Sequence, residues 1–449
     1  MLQDRGSFRD PGNRVYDGPD AVYRALSAEA AAEWGALAAS SLGGDPRIVA
    51  TEEVGDAPEG WAALLRHERI PFVSYPYEWP FTLLRRAALL QLDLLLDALG
   101  EGLVLKDATP YNVQWDGPRG VFIDVGSFER YREGTAWDGY RQFCQLQLYP
   151  LLLTSWKDVP FQPWLRGSLD GIEPAELRNL LSFRDRFRRG ATTHVFLHAR
   201  LERRYAHRTR EVKAELKRAG FRKELVVANA RKLRGIVKGL KWRGASAAWG
   251  DYTQTWSYDE ADAARKAEFV RRAVAHVRPQ LVWDLGCNDG TYSKLAAADG
   301  AYVVATDSDH HVIDRLAREE NERILPLVVD VADPPPALGW RGAERRDLAA
   351  RGAPDLTLAL ALVHHLAITR NLPLAELVDW FASLGGSLVV EFVAPEDEMA
   401  QRLLAAKREG LHGDYTPAAF DRLLRERFDV ERTEELAGGR RVLYLAHPR

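Results

Sequence analysis

Cysteine is scarce. Only Cys144 and Cys287 occur among 449 residues, and they lie far apart. That excludes a disulfide framework and a cysteine-based zinc site, and it fits a reducing cytoplasm. Long apolar runs are missing too. The most apolar stretch, 87–99, is interrupted by Asp93 and Asp97 and is too short to span a bilayer. The first residues, MLQDRGSFRDPGNRVYDG, lack the basic start and apolar centre of a signal peptide. Charge of one sign is also absent in excess, since the net charge is −3, so the chain as a whole is not a polyanion binder. No internal repeat or long low-complexity tract is present. What these absences leave is a soluble, cytoplasmic globular chain, long enough for two or three domains.

The richest stretch is 281–309, LVWDLGCNDGTYSKLAAADGAYVVATDSD. It reads as strand, tight turn, helix, strand. Leu281, Val282 and Trp283 run into Asp284. Gly286 and Gly290 bracket a turn around Asn288, and a second apolar run ends on Asp307. This is half of a nucleotide-binding βαβ unit. Glycine permits a sharp turn and a close ligand approach. Asp307 lies roughly 20 residues beyond the glycines, the usual offset of an acid that accepts ribose hydroxyls. The turn is D-x-G-x-N-x-G, so the dinucleotide fingerprint G-x-G-x-x-G is not met.

That turn resembles motif I of class I S-adenosylmethionine (SAM) methyltransferases. The resemblance implies SAM as cofactor. Asp284 and the backbone of Gly286, Asn288 and Gly290 would face its methionine end, and Asp307 its ribose. Asp330, which follows a third expected strand at 325–329, would meet the adenine amino group. Further strands are expected at 354–362 and 386–393, with helices at 260–277, 310–319, 374–384 and 399–408, and a closing hairpin at 428–435 and 441–446. This alternation is the methyltransferase topology, a Rossmann-like seven-stranded α/β domain over 245–449. His364 and His365 follow the fourth strand, where acceptor-facing residues lie. An unperturbed imidazole suits proton removal from a hydroxyl near neutral pH. The D/N-P-P-Y/F motif of amino-directed enzymes is absent there, which disfavours that kind of N-methylation. Tyr252 or Tyr258 in the lead-in segment touches the cofactor, if that segment closes over SAM as it does in the fold. The loop His412–Tyr415 is a candidate cover for the acceptor.

The N-terminal half is less telling. A helix is expected at 28–39, short strands at 47–51 and 70–74, and an amphipathic helix at 81–99 that stops at Gly100. The segment 104–128 follows, with Asp107 and Asn112 in D-x-x-x-x-N spacing and Asp124 after two short strands. It resembles the catalytic loop and metal-binding acid of protein kinases and aminoglycoside-type phosphotransferases. Departures are plain: Leu105-Lys106 precedes Asp107, no Gly-rich phosphate loop lies upstream, and Lys106 is the first lysine in the chain. Residues 1–199 are therefore read as an α+β accessory or substrate domain, like a degenerate kinase C-lobe. The aromatic cluster at 137–164 is read as core, with an acceptor pocket as the alternative. A charged helix is expected at 174–189. His194 and His198, four apart, are weak evidence for a metal, and no metal ligands are assigned. The stretch 200–244 holds basic over acidic residues about four to one and reads as a helical linker, with an anionic-acceptor surface as the alternative.

The whole chain resembles bacterial two-part methyltransferases related to the nodulation protein NoeA. LKDATPYNV, FIDVGSF, GYRQFC, WLRGSLDGI, VWDLGCNDG and VVEFVAPED carry the resemblance. It implies methyl transfer from SAM to a small-molecule or glycan acceptor, such as a hydroxyl of a cell-surface glycan or secondary metabolite. Nucleic acid is disfavoured as a partner, and oligomeric state is left open. Two alternatives stand beside it: a non-enzymatic scaffold built on nucleotide folds, and a bifunctional enzyme that also transfers phosphoryl groups.

Overall fold

The computed structural model describes residues 2–200, 222–242 and 260–449. It separates into two units. One comprises Met1–Gly244 with the short segment Leu338–Arg345, the other Ala245–Ala337 with Arg346–Arg449. Among the described residues, no helix is long and apolar enough to cross a membrane.

The first unit is α+β. Its five-stranded antiparallel sheet runs in the order Leu2–Gln3, Asn13–Asp17, Val22–Leu26, Ala63–His67, Thr51–Glu53. The strands expected at 47–51 and 70–74 are thus displaced to Thr51–Glu53 and Ala63–His67. The helix Ala28–Ala38 starts where the Ser27 hydroxyl accepts the Ala30 N–H. The helix Phe81–Gly100 buries residues on nearly every side, including Leu83, Leu84, Leu92, Leu94 and Leu95. Its interrupting acids are both paired: Asp93 with Arg234, and Asp97 with Arg47 at 2.7 Å. Arg234 sits on the helix Lys223–Gly239, which packs against Phe81–Gly100 within this unit. That part of the basic stretch is therefore an ordered element of the first unit rather than a connector. The charged helix expected at 174–189 is shorter, Pro174–Leu180, followed by a 3-10 turn at Phe183–Phe187. Tyr252 and Tyr258 lie outside the described residues.

The second unit is a three-layer α/β sandwich. Its strands are β1 (Leu281–Leu285), β2 (Tyr302–Asp307), β3 (Ile324–Val328), β4 (Leu356–Ala359), β5 (Ser387–Val393), β6 (Phe428–Leu436) and β7 (Arg441–Pro448). They are ordered β3-β2-β1-β4-β5-β7-β6, with only β7 antiparallel to its neighbours. The helices are α1 (Glu260–Val277), α2 (Thr291–Ala298), α3 (His310–Arg318), α4 (Leu374–Ser383), α5 (Glu398–Ala405) and α6 (Pro417–Arg427). β1 to β5 are apolar on both faces because helices cover both. Val282, Val303, Ala305, Ile313, Leu358 and Val389 belong to the common core. The Rossmann-like seven-stranded domain expected from the sequence is the one observed. β1 lies between β2 and β4, so the strand order reverses there, and a crevice opens at the carboxyl ends of these strands.

Candidate functional site

The crevice is a cavity of about 480 Å³ in the second unit. Asp284, Gly286, Asn288, Asp307, Asp330, His364 and His365 lie along it, while Gly290 shapes the turn. Gly286 and Gly290 have φ of +71° and +74°, a region that disfavours side chains. A Cβ on Gly290 would stand 2.8 Å from the Leu316 side chain, so this glycine also lets α3 pack closely. Asn288 shares the left-handed backbone with φ of +48°. The turn is pinned to β2, since the Gly286 and Cys287 N–H groups donate to the Thr306 carbonyl at 2.8 and 2.9 Å.

Asp307 ends β2. One carboxylate oxygen accepts the Asp309 N–H at 2.9 Å, the other the Asn288 N–H at 3.0 Å. Each oxygen keeps a further acceptor site, and the pair faces the cavity, which suits a vicinal diol. Burial raises its pKa, against the pull of those backbone N–H groups. Asp284 is buried and accepts the Ser293 hydroxyl at 2.6 Å. Burial pushes its pKa up to about 6, with the Ser293 hydrogen bond and the Lys266 charge pulling the other way. Asp330 also borders the cavity, but one of its oxygens is ion-paired with Arg370 and the other accepts the Ala332 N–H at 3.0 Å. Any adenine contact there has to share Asp330 with that guanidinium.

After β4 the chain turns sharply through Ala361, a non-glycine residue with φ of +52°. The turn delivers His364 and His365 to the cavity wall, their ring centroids 4.1 Å apart. His364 is buried, and its Nδ1 has no hydrogen-bond partner among the described residues. Burial holds its pKa well below the ordinary 6.5, reinforced by the His365 and Arg441 charges. His365 is exposed at the rim, yet partial loss of water and then Arg441 lower its pKa as well. Both rings are therefore neutral near pH 7 and able to accept a proton.

Sequence reasoning missed the ionic network beneath this wall. Lys266 of α1 donates to Glu391 at 2.6 Å, and Glu391 also takes Arg441 at 3.2 Å. Arg441 in turn meets both oxygens of Asp397, at 2.7 and 3.1 Å. All four side chains are almost fully buried, two of each sign. The Lys266 ammonium lies 4.8 Å from the centre of the Tyr292 ring, which borders the cavity. The network's signal in the sequence is a lysine among Phe269, Val270, Ala273 and Val274 on the buried face of α1, with Asp262 one turn earlier. In the loop His412–Tyr415, expected as a cover, Tyr415 is a buried anchor, its hydroxyl donating to the Val393 carbonyl at 2.6 Å.

In the first unit, Asn112 donates to the Ser127 hydroxyl at 3.0 Å, and Ser127 donates to Asp124 at 2.7 Å. The other Asp124 oxygen takes the Arg24 guanidinium at 2.7 Å. A fixed cation thus occupies the acid that a kinase gives to magnesium. His194 and His198 are also accounted for locally. Their Nδ1 atoms meet the hydroxyls of Tyr140 and Tyr149 at 2.8 and 2.7 Å, and burial lowers both pKa values to about 4.

No protein-family model matches the chain. Among solved structures, it is similar to the N-methyltransferase NodS from Bradyrhizobium japonicum WM9, with 14% identity, 42% of this chain and 99% of that one covered, and a TM-score of 0.30. It is also similar to magnesium protoporphyrin IX methyltransferase (ChlM) from Synechocystis PCC 6803 with bound SAM, with 18% identity, 45% and 93% covered, and a TM-score of 0.30. The nodulation protein NoeA of Rhizobium meliloti (strain 1021) is 36% identical over 457 residues, which cover 98% of this chain and 94% of that protein. On identity of that extent over nearly its whole length, the chain belongs to the family of NoeA.

Proposed function

We propose that this chain is a cytoplasmic SAM-dependent methyltransferase acting on a hydroxyl of a glycan or secondary metabolite. The observation that carries this reading is the pairing of the left-handed Gly286–Gly290 turn with the Asp307 carboxylate at the switch point of the sheet. Asp307 would hold the ribose hydroxyls. Asp284 and the turn would meet the methionine end, and Asp330, shared with Arg370, the adenine edge. Bound SAM supplies a methyl group activated by its sulfonium charge. The residues of the chain then have two tasks, to align the acceptor oxygen with that methyl and to remove its proton. His364 and His365 suit the second task because both are neutral at working pH and border the same cavity. Cys144 and Cys287 are buried and not joined in a disulfide, which fits a reducing compartment. The first unit serves as an accessory or substrate domain. Phosphoryl transfer there is disfavoured by Arg24 on Asp124.

The test is transfer of tritiated methyl from SAM to a panel of hydroxyl-bearing glycans and aglycones. Transfer that falls at least about 100-fold in the double variant His364→Ala/His365→Ala, with SAM affinity kept, supports the assignment. Transfer to amines only would overturn the hydroxyl acceptor, and unchanged transfer in the double variant would remove the histidines from the chemistry.

A further inference from the structure

Away from the crevice, three side chains from three separate elements converge on one point. His276 lies at the end of α1, Glu431 on β6 and His447 on β7. His276 Nε2 is 3.0 Å from Glu431 Oε2, and His447 Nε2 is 2.7 Å from the same oxygen. All three potential ligand atoms fall within 4.8 Å of one another. We propose that these residues bind one divalent transition-metal ion of the zinc class, tying α1 to the closing hairpin.

The donor set suits such an ion. Two imidazoles and one carboxylate offer two neutral donors and one negative one, and zinc takes such sets with a water completing the tetrahedron. Metal–ligand bonds of about 2.0–2.2 Å put tetrahedral ligands roughly 3.3 Å apart. The two separations from Glu431 are a few tenths of an ångström below that spacing, and the two imidazole nitrogens, within 4.8 Å, reach it by rotation of exposed and half-exposed side chains. Without a metal, both Nε2 atoms face the same carboxylate oxygen. A dication would take the place of any Nε2 proton, each ring then neutral with its one proton on Nδ1, and all three donors would point inward.

Two features go beyond a chance surface ion pair. His447 Nδ1 lies 3.0 Å from the Ser387 hydroxyl. That hydroxyl is placed to accept from an Nδ1–H, the tautomer that leaves Nε2 free for a metal. The second feature is backbone. The β6–β7 register slips between Val430 and Arg432, so Glu431 is the bulged, unpaired residue of its strand. A bulge re-aims the side chain it carries, and this one carries the only carboxylate of the three. Ser387 begins β5 and His276 ends just before β1, so the cluster sits at the amino ends of the strands, opposite the crevice. That position assigns the ion to structure rather than to methyl transfer.

The experiment uses the full chain with any histidine tag removed and metal stripped. Titration with Zn²⁺, followed by calorimetry, and with Co²⁺, followed by its visible bands, should give one site per chain with the spectrum of a four- or five-coordinate ion. Binding should disappear in Glu431→Gln and His447→Ala and weaken by about 10-fold in Ser387→Ala. Zinc should raise the melting temperature of the wild type and not that of the first two variants. S-adenosylhomocysteine titration of each variant checks folding independently of the metal. An absence of saturable binding, or binding unaffected by Glu431→Gln and His447→Ala, would overturn the proposal.

Discussion

Asp307 holds the backbone of Asn288: its carboxylate accepts the Asn288 N–H at 3.0 Å, while its other oxygen accepts the Asp309 N–H. One side chain thus fixes the shape of the turn after β1 and the loop after β2, and still faces the crevice. Asp307→Ala should weaken S-adenosylhomocysteine binding by about 100-fold, because two charge-assisted contacts to a diol are lost. A melting temperature near that of the wild type would show that the loss is local. Equal affinity in the variant would remove Asp307 from the cofactor site.

Gly290 answers to two constraints at once, a left-handed φ and the Leu316 side chain against any Cβ. Gly290→Ala is expected to destabilise the second unit by at least about 1–2 kcal/mol, the cost of the backbone alone. Urea denaturation followed by near-UV circular dichroism gives that number. An unchanged midpoint would mean that the turn relaxes freely.

The network under the crevice is balanced, so removing one member is costly. Lys266→Met leaves Glu391 and Asp397 to share Arg441 in a dry interior, which should cost about 3–5 kcal/mol. The double variant Lys266→Met/Glu391→Leu should recover much of that loss. Failure to recover it would place the role of Lys266 in cavity shape rather than in charge balance.

Asp284 gives the cofactor site a pH dependence. Its pKa is raised to about 6, mainly by burial. A cationic ligand beside it favours the ionised form, so SAM affinity should be constant above that value and fall by up to about tenfold per pH unit below it. Asp284→Asn should flatten the curve and bind more weakly at neutral pH. Steep acid loss that persists in Asp284→Asn would assign it to another group.

His364 adds a stability term of its own. The folded state holds it neutral, with a pKa well below the ordinary 6.5. The unfolded chain binds the proton first as pH falls, so stability drops as pH goes below about 6.5 and levels off under the folded pKa. Asp284, raised rather than lowered, works in the opposite direction below about 6. Comparing wild type with His364→Asn isolates the histidine: the variant should show a shallower acid decline in urea midpoint, and parallel curves would contradict its burial as a neutral ring.

The second unit was legible because its signals are local. The Gly286–Gly290 turn, the acid at the end of β2 and the strand–helix alternation can be read within a few dozen residues. Asp330 borders the crevice, and its pairing with Arg370 depends on a loop 40 residues away. Lys266, Glu391, Arg441 and Asp397 come from α1, β5, β7 and the loop after β5, so no spacing announces them. The same holds for His276, Glu431 and His447. In the first unit, Arg24 on Asp124 joins residues 100 apart and turns a kinase-like motif into an internal ion pair. The histidine pair at 194 and 198 has helical spacing, but its tyrosine partners lie on another helical segment. Local periodicity finds elements, whereas buried charge is settled by partners distant in sequence.

The most direct measurement is calorimetric titration of the purified full chain with S-adenosylhomocysteine, followed by ATP with magnesium. One saturable site per chain for the first and no heat for the second are expected from an intact crevice in the second unit and an Asp124 already occupied by Arg24. No binding of S-adenosylhomocysteine would contradict the methyltransferase assignment, whatever the outcome with ATP.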